Sequence, residues 1–131
     1  MSDFINTIEI LGDEVTMDAI IEGTITEFKD NTLTEIGPYA FSGCTALTIV
    51  DLPKVATVSE ATFNECAALE SINLPKLTSY NGGYIFSNCE TLKKISLPSL
   101  SVAIGHYLFY RCSNLQVVEF FHPLEFGGWN T

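Results

Sequence analysis

The sequence predicts an α/β solenoid of about four coils, each roughly 22 to 23 residues long. Three observations carry this. A phrase of the form Phe-x-x-Cys-x-x-Leu-x-x-(Val/Ile)-x-Leu-Pro recurs through the 131 residues, with phenylalanines at 41, 63, 86 and 109 and cysteines at 44, 66, 89 and 112. So even a spacing is that of a stack in which each coil buries its apolar face against its neighbours. Each copy also ends in a short alternating run of strand-forming residues, closed by proline in the first three, with Phe121 in that place in the fourth. One domain suits this length, and the 47% apolar content is enough for a continuous core.

Residues 1–32 are expected to form an N-terminal acidic cap. Phe4, Ile5, Ile8 and Leu11 fall at helical spacing and Gly12 offers a left-handed stop. Asp13 is placed to cap a second short helix running through Ile21 and ended by Gly23. Thr24–Phe28 alternates and is rich in β-branched residues, which predicts a strand. A cap of this kind covers the first coil of a solenoid.

The solenoid is expected over residues 33–120, with strands at Ile49–Leu52, Ser71–Leu74, Lys94–Leu97 and Val117–Phe120. Two-residue alternation points Val50/Leu52, Ile72/Leu74, Ile95/Leu97 and Val118/Phe120 inward. Pro53, Pro75 and Pro98 then stop the strands. The stretch before each cysteine, such as Ile36–Gly43, is expected to turn back as a short helix or 3₁₀ segment. Residues 121–131 are expected to be half of a further coil, with Gly127-Gly128 aligned to Ile104-Gly105.

Ile36-Gly37-Pro38-Tyr39-Ala40-Phe41-Ser42-Gly43-Cys44, followed by Leu47-x-x-Val50-x-Leu52, resembles the BspA-like (Treponema-type) leucine-rich repeat class. The likeness spans four coils, although Ser59 replaces the glycine in the second copy and Asn81-Gly82-Gly83 lengthens the third. The resemblance implies a non-catalytic protein that binds other proteins. Members serve as surface adhesins of bacteria and parasites, or as short forms in bacteriophage and prophage genomes. Asp18–Ile25 resembles the lead-in of the phage-type members. The expected role is therefore a virion or host-attachment component, with a cell-surface adhesin as the alternative.

Charge and composition narrow the partners. The net charge is -10, and residues 1–35 carry -8 of it, nine acidic groups against Lys29 alone. Nucleic acid is excluded, because it requires clustered Lys and Arg. No apolar run approaches the ~18 residues of a membrane span. The first ten residues have no basic start and no unbroken apolar stretch, unlike a standard secretory signal. The expected location is the virion or cytoplasm, with the extracellular surface as the alternative.

No cofactor, metal or catalytic residue is assigned. Equivalent cysteines in adjacent coils sit about 4.8 Å apart, so four of them cannot converge on one tetrahedral zinc. Parallel side-chain vectors disfavour disulfides, and the thiols are expected to be buried and free. The acidic stretch lacks the spacing of a calcium loop, and the solenoid is expected to place the cysteines inside and His106 on the surface, with His122 in the tail, so no triad is expected. Tyr39, Tyr84 and Tyr107 occupy equivalent turn positions, broken by Ala61, and are expected to pack partly on one another, with a contact stripe as the alternative. The candidate protein-binding face is the set of outward strand residues, Ile49, Asp51, Ser71, Asn73, Lys94, Ser96, Val117 and Glu119. The candidate assembly edge follows the last strand, with Phe121, Phe126 and Trp129 as apolar anchors for a homo-oligomer.

Overall fold

A computed structural model of the chain describes residues 20–104, 107–120 and 125–127. The strands of the described residues, numbered in chain order, alternate between two columns. The first column holds β1 (Glu27–Lys29), β3 (Ile49–Asp51), β5 (Ser71–Asn73), β7 (Lys94–Leu97) and β9 (Val117–Phe120). The second holds β2 (Glu35–Ile36), β4 (Thr57–Val58), β6 (Ser79–Tyr80), β8 (Val102–Ile104) and β10 (Glu125–Gly127). Every described pairing is parallel. In the first column Glu27, Ile49 and Ser71 share one row, and Lys29, Asp51 and Asn73 another. Lys94 pairs with Val117 and Ser96 with Glu119. Gly127 pairs with Ile104, the register in which the tail aligns with the coil before it.

The molecule is a β-solenoid. The expected helical content reduces, among the described residues, to residues 20–22, which end at Gly23 with φ 75°. The segments before the cysteines are turns, not helix or 3₁₀ runs, and the hydrogen bonds give the reason. The amides of Tyr39, Phe41 and Gly43 donate to the carbonyls of Glu60, Thr62 and Asn64 in the next coil, each at 2.9 Å. Those of Ala61, Phe63 and Glu65 reach Gly83, Ile85 and Ser87 in the same way. These donors are therefore spent between coils and cannot build an i→i−4 ladder. Tyr39, Ala61, Tyr84 and Tyr107 also lie at φ 53–60°, a left-handed turn that ends any helical run. The turns thus form a third bonded face beside the two strand columns.

The N-terminal strand lies at Glu27–Lys29 rather than Thr24–Phe28. It falls inside the expected cap yet joins the ladder, one full coil ahead of its partner β3.

Inside, equivalent residues stack in columns. Phe41, Phe63, Phe86 and Phe109 form a column with centroid spacings of 5.6, 5.8 and 5.7 Å and rings within 12° of parallel. Phe28 closes it at 4.8 Å with a tilted ring. Leu47, Leu69 and Leu92 form a second column of fully buried side chains. The four cysteines are free, and Cys44, Cys66 and Cys89 are buried. They are more than fillers. The Cys66, Cys89 and Cys112 thiols donate to the carbonyls of Phe41, Phe63 and Phe86 in the preceding coil, at 3.2, 3.4 and 2.9 Å. The Cys44 thiol reaches the Ile20 carbonyl, in the helical turn before Gly23, at 3.7 Å.

Two positions depart from this pattern. Gly82 has φ 84°, and a Cβ built there would lie 2.6 Å from the Glu60 Cβ. Gly82→Ala should therefore cost roughly 2–4 kcal/mol, combining left-handed strain with overpacking, read as a lower urea midpoint. Tyr80 is 2% exposed and its hydroxyl has no hydrogen-bond partner among the described residues. Removing that hydroxyl as Tyr80→Phe should raise stability by about 1 kcal/mol, since a buried unpaired polar group is lost. A fall in melting temperature would show that the hydroxyl is satisfied in solution.

Candidate functional site

Strand alternation turns one side of the first column to solvent. Ser71, Asn73, Lys94 and Val117 are exposed; Ile49, Asp51, Ser96 and Glu119 are half-buried. The eight expected face residues thus lie on the outer side of the first column, four on the sheet β1-β3-β5 and four on the sheet β7-β9, while Val50, Leu52, Leu74, Ile95 and Leu97 face the core. Ile72 and Val118 also face inward but are only partly buried. The strand at the N-terminal end adds Glu27 and Lys29 to the face, both exposed. Sequence reasoning missed this pair because the strand was placed three residues early. The signal was present, since Glu27-Phe28-Lys29 stands one repeat before Ile49-Val50-Asp51.

Side chains on this face pair along the solenoid. The Asn73 side-chain amide donates to Asp51 Oδ1 at 2.8 Å. Lys94 Nζ lies 3.2 Å from Glu119 Oε1, and Lys29 Nζ 3.8 Å from Glu27 Oε1. Such exposed pairs contribute little stability but fix the directions of their donors and acceptors. Beside the face, Lys29, Asp30, Asn31, Asp51 and Pro53 line an open hollow of about 380 Å³. Its carboxylates are already engaged. Asp30 Oδ1 accepts from the amides of Thr32 and Leu33 at 2.7 and 2.8 Å and from the Thr32 hydroxyl. Burial works against the charge, but these donors hold the Asp30 carboxyl below its ordinary value. Among the described residues no group of three or more His, Cys, Asp or Glu is placed to hold a metal ion.

A second surface carries aromatic rings. Tyr84 and Tyr107 stack at 5.0 Å, and Tyr110 meets both edge-on. Arg111 lies over the Tyr110 ring at 5.2 Å. The rings do pack on one another, as the sequence predicts, with Tyr39 left half-exposed beyond Ala61.

Of the expected edge anchors, Phe126 lies in β10, paired with Ala103; Phe121 and Trp129 lie outside the described residues. So do His106 and His122. The cysteines offer no activated nucleophile in the core. Burial pushes the Cys44 thiol up to about 11 and the Cys66 thiol further up. Contact with Cys112, then burial, raises Cys89 as well. Cys112 differs. It is only half-buried, so solvent and reagents reach its sulfur.

A family model described as "BspA type Leucine rich repeat region (6 copies)" matches residues 22–127. A leucine-rich repeat protein from Bacteroides ovatus, known by crystal structure, is 36% identical, with a TM-score of 0.65. The match covers 73% of this chain and 25% of that one, so the chain spans about a quarter of its relative's length. No curated protein matches the sequence. The chain belongs to the BspA-type leucine-rich repeat family.

Two expectations follow from the thiols. One cysteine per chain, Cys112, should react quickly with a disulfide reagent at pH 8, and the other three only after denaturant is added. Mass mapping of the labelled peptide checks this. Stability should also fall on the alkaline side. A thiol with a raised folded pKa contributes in full below its unfolded value near 9, and loses that contribution as pH rises through its folded value. For Cys44 the window runs from about 9 to about 11, and Tyr80, pushed up to about 12 by burial, extends it. Urea midpoints measured at pH 7 and pH 10 should show the drop.

Proposed function

We propose that this family member is a non-catalytic protein-binding module whose contact surface is the outward face of the first strand column. One observation carries the reading. The face is built of two parallel sheets, β1-β3-β5 and β7-β9, whose side chains differ from coil to coil: Glu27/Lys29, Ile49/Asp51, Ser71/Asn73, Lys94/Ser96 and Val117/Glu119. A rigid sheet with a varied, outward-facing side-chain array suits recognition of another protein, since little entropy is lost in ordering it. Leucine-rich repeat proteins commonly bind proteins, and the family is typically non-catalytic. No described helix is long and apolar enough to cross a membrane.

The finer setting we propose is a bacteriophage virion or prophage-encoded component, in structure or host attachment, supported by the lead-in at Asp18–Ile25. The partner is then virion protein, host surface or a second copy. A cell-surface adhesin is the second reading, supported by membership of the BspA-type family, whose proteins are often surface-exposed.

The test is a pull-down against purified virions and, separately, against host cell envelope. Wild-type chain should capture one of them. The double variant Ser71→Arg/Ser96→Arg should lose capture at least about tenfold while its urea midpoint stays within about 0.5 kcal/mol of wild type. Capture unchanged in a folded double variant would move the site off this face.

A further inference from the structure

The turn Asn81-Gly82-Gly83 combines features that no other asparagine of the described residues shares. Asn81 and Gly82 are both exposed. Neither the Asn81 carboxamide nor the Gly82 amide has a hydrogen-bond partner among the described residues. Gly82 has no Cβ to hold its nitrogen away from the side chain before it. The other described asparagines are held. Asn73 donates to Asp51, Asn88 to Asn64, and Asn114 to the Glu90 carbonyl. Asn64 precedes Glu65, whose amide is engaged by the Ser87 carbonyl. Asn31 precedes Thr32, whose amide is engaged by Asp30 Oδ1 at 2.7 Å.

We propose that Asn81-Gly82 is a site of self-modification, at which the turn converts its asparagine to aspartyl and isoaspartyl products through a cyclic imide. The co-reactants are hydroxide and water. Hydroxide takes the Gly82 amide proton, and the electron pair of that nitrogen forms a bond to Asn81 Cγ. The Cγ–Nδ2 bond breaks. Nδ2 leaves as ammonia after taking a proton from water, which returns the hydroxide. Water then opens the imide at either carbonyl. Opening at Cγ gives aspartate; opening at the main-chain carbonyl carries the chain on through Cγ as isoaspartate. One amide becomes one carboxylate, and nothing is oxidised or reduced.

The place of the turn gives the reaction a structural effect. The Asn81 amide donates to the Val58 carbonyl at 3.0 Å, and the Gly83 carbonyl accepts from Ala61 at 2.9 Å. Isoaspartate puts one more atom into the main chain between these anchors, where Gly82 already lies against Glu60. Neither strand column is paired across the following junction, since β5 and β7, like β6 and β8, fall in separate sheets. The backbone bonds that cross it at the turn run from Ala61, Phe63 and Glu65 to Gly83, Ile85 and Ser87. A longer main chain disturbs the first of these and loosens the coils where they are least bonded. This chemistry does not depend on what the outward face binds.

Peptide mapping by mass spectrometry tests it, on the full chain held folded at physiological temperature and pH 8 and then digested in acid. Asn81 should convert at least about tenfold faster than any other described asparagine. Its peptide should gain the mass difference between an amide and an acid and split into two isomers on chromatography. Asn81→Gln, whose side chain would have to close a larger ring, should stay unmodified. In the isolated isoaspartyl form the Ala61 amide should exchange with solvent at least about tenfold faster than in fresh protein. The proposal is overturned if Asn81 persists in the folded chain, whether or not it reacts in denaturant, or if other asparagines react as fast. Unchanged exchange at Ala61 would overturn the loosening of the junction.

Discussion

The coils of this protein are hydrogen-bonded to their neighbours through two strand columns, whose ladders break between β5 and β7 and between β6 and β8, and through the turns between them. The donors that would have built a helix before each cysteine are drawn into that network, from Tyr39, Phe41 and Gly43 in one coil and Ala61, Phe63 and Glu65 in the next. Everything else depends on the equivalence that results. Phenylalanine rings lie parallel because their backbones are in register. Leucines stack on leucines. A thiol in one coil meets the phenylalanine carbonyl of the coil before it. A residue inserted between coils has to be absorbed away from these contacts. The longer turn at Asn81-Gly82-Gly83 does this, with Gly82 pressed against Glu60.

Much of this was legible in the sequence, for a definite reason. Two periodicities are superposed, the length of a whole coil and the alternation of a strand. Together they fix which residues share a row and which side of the sheet they face. The outward positions of Asp51, Asn73, Lys94 and Glu119 needed nothing more. What escaped was of two kinds. The second strand column consists largely of pairs such as Glu35–Ile36 and Thr57–Val58, too short to show alternation. The turns could not be distinguished from short helices because their left-handed residues are Tyr39, Ala61, Tyr84 and Tyr107, none of them a glycine. Tertiary hydrogen bonds impose that conformation against local preference. The same blindness hid the role of the cysteines. Burial can be read from an apolar repeat, whereas the donor that a Phe41 or Phe63 carbonyl receives from the next coil cannot.

The candidate face inherits its character from this economy. Within each of its two sheets the paired strands present side chains on rows about 4.8 Å apart. Cross-coil contacts such as Asn73 to Asp51 and Lys94 to Glu119 set which donors and acceptors remain for a partner. No described residue in the face requires a cofactor to explain it.

Parallel pairing between coils also has a mechanical meaning. Every ladder bond runs along the solenoid axis, so tension applied along that axis loads the coils in series and pulls on each row of bonds face-on rather than in shear. The weakest junction yields first and the rest hold. Each coil, at roughly 22 residues, releases up to about 75 Å of extended chain when it lets go. A protein built this way gives under load in discrete steps, lengthening without failing all at once, as an extensible tether does.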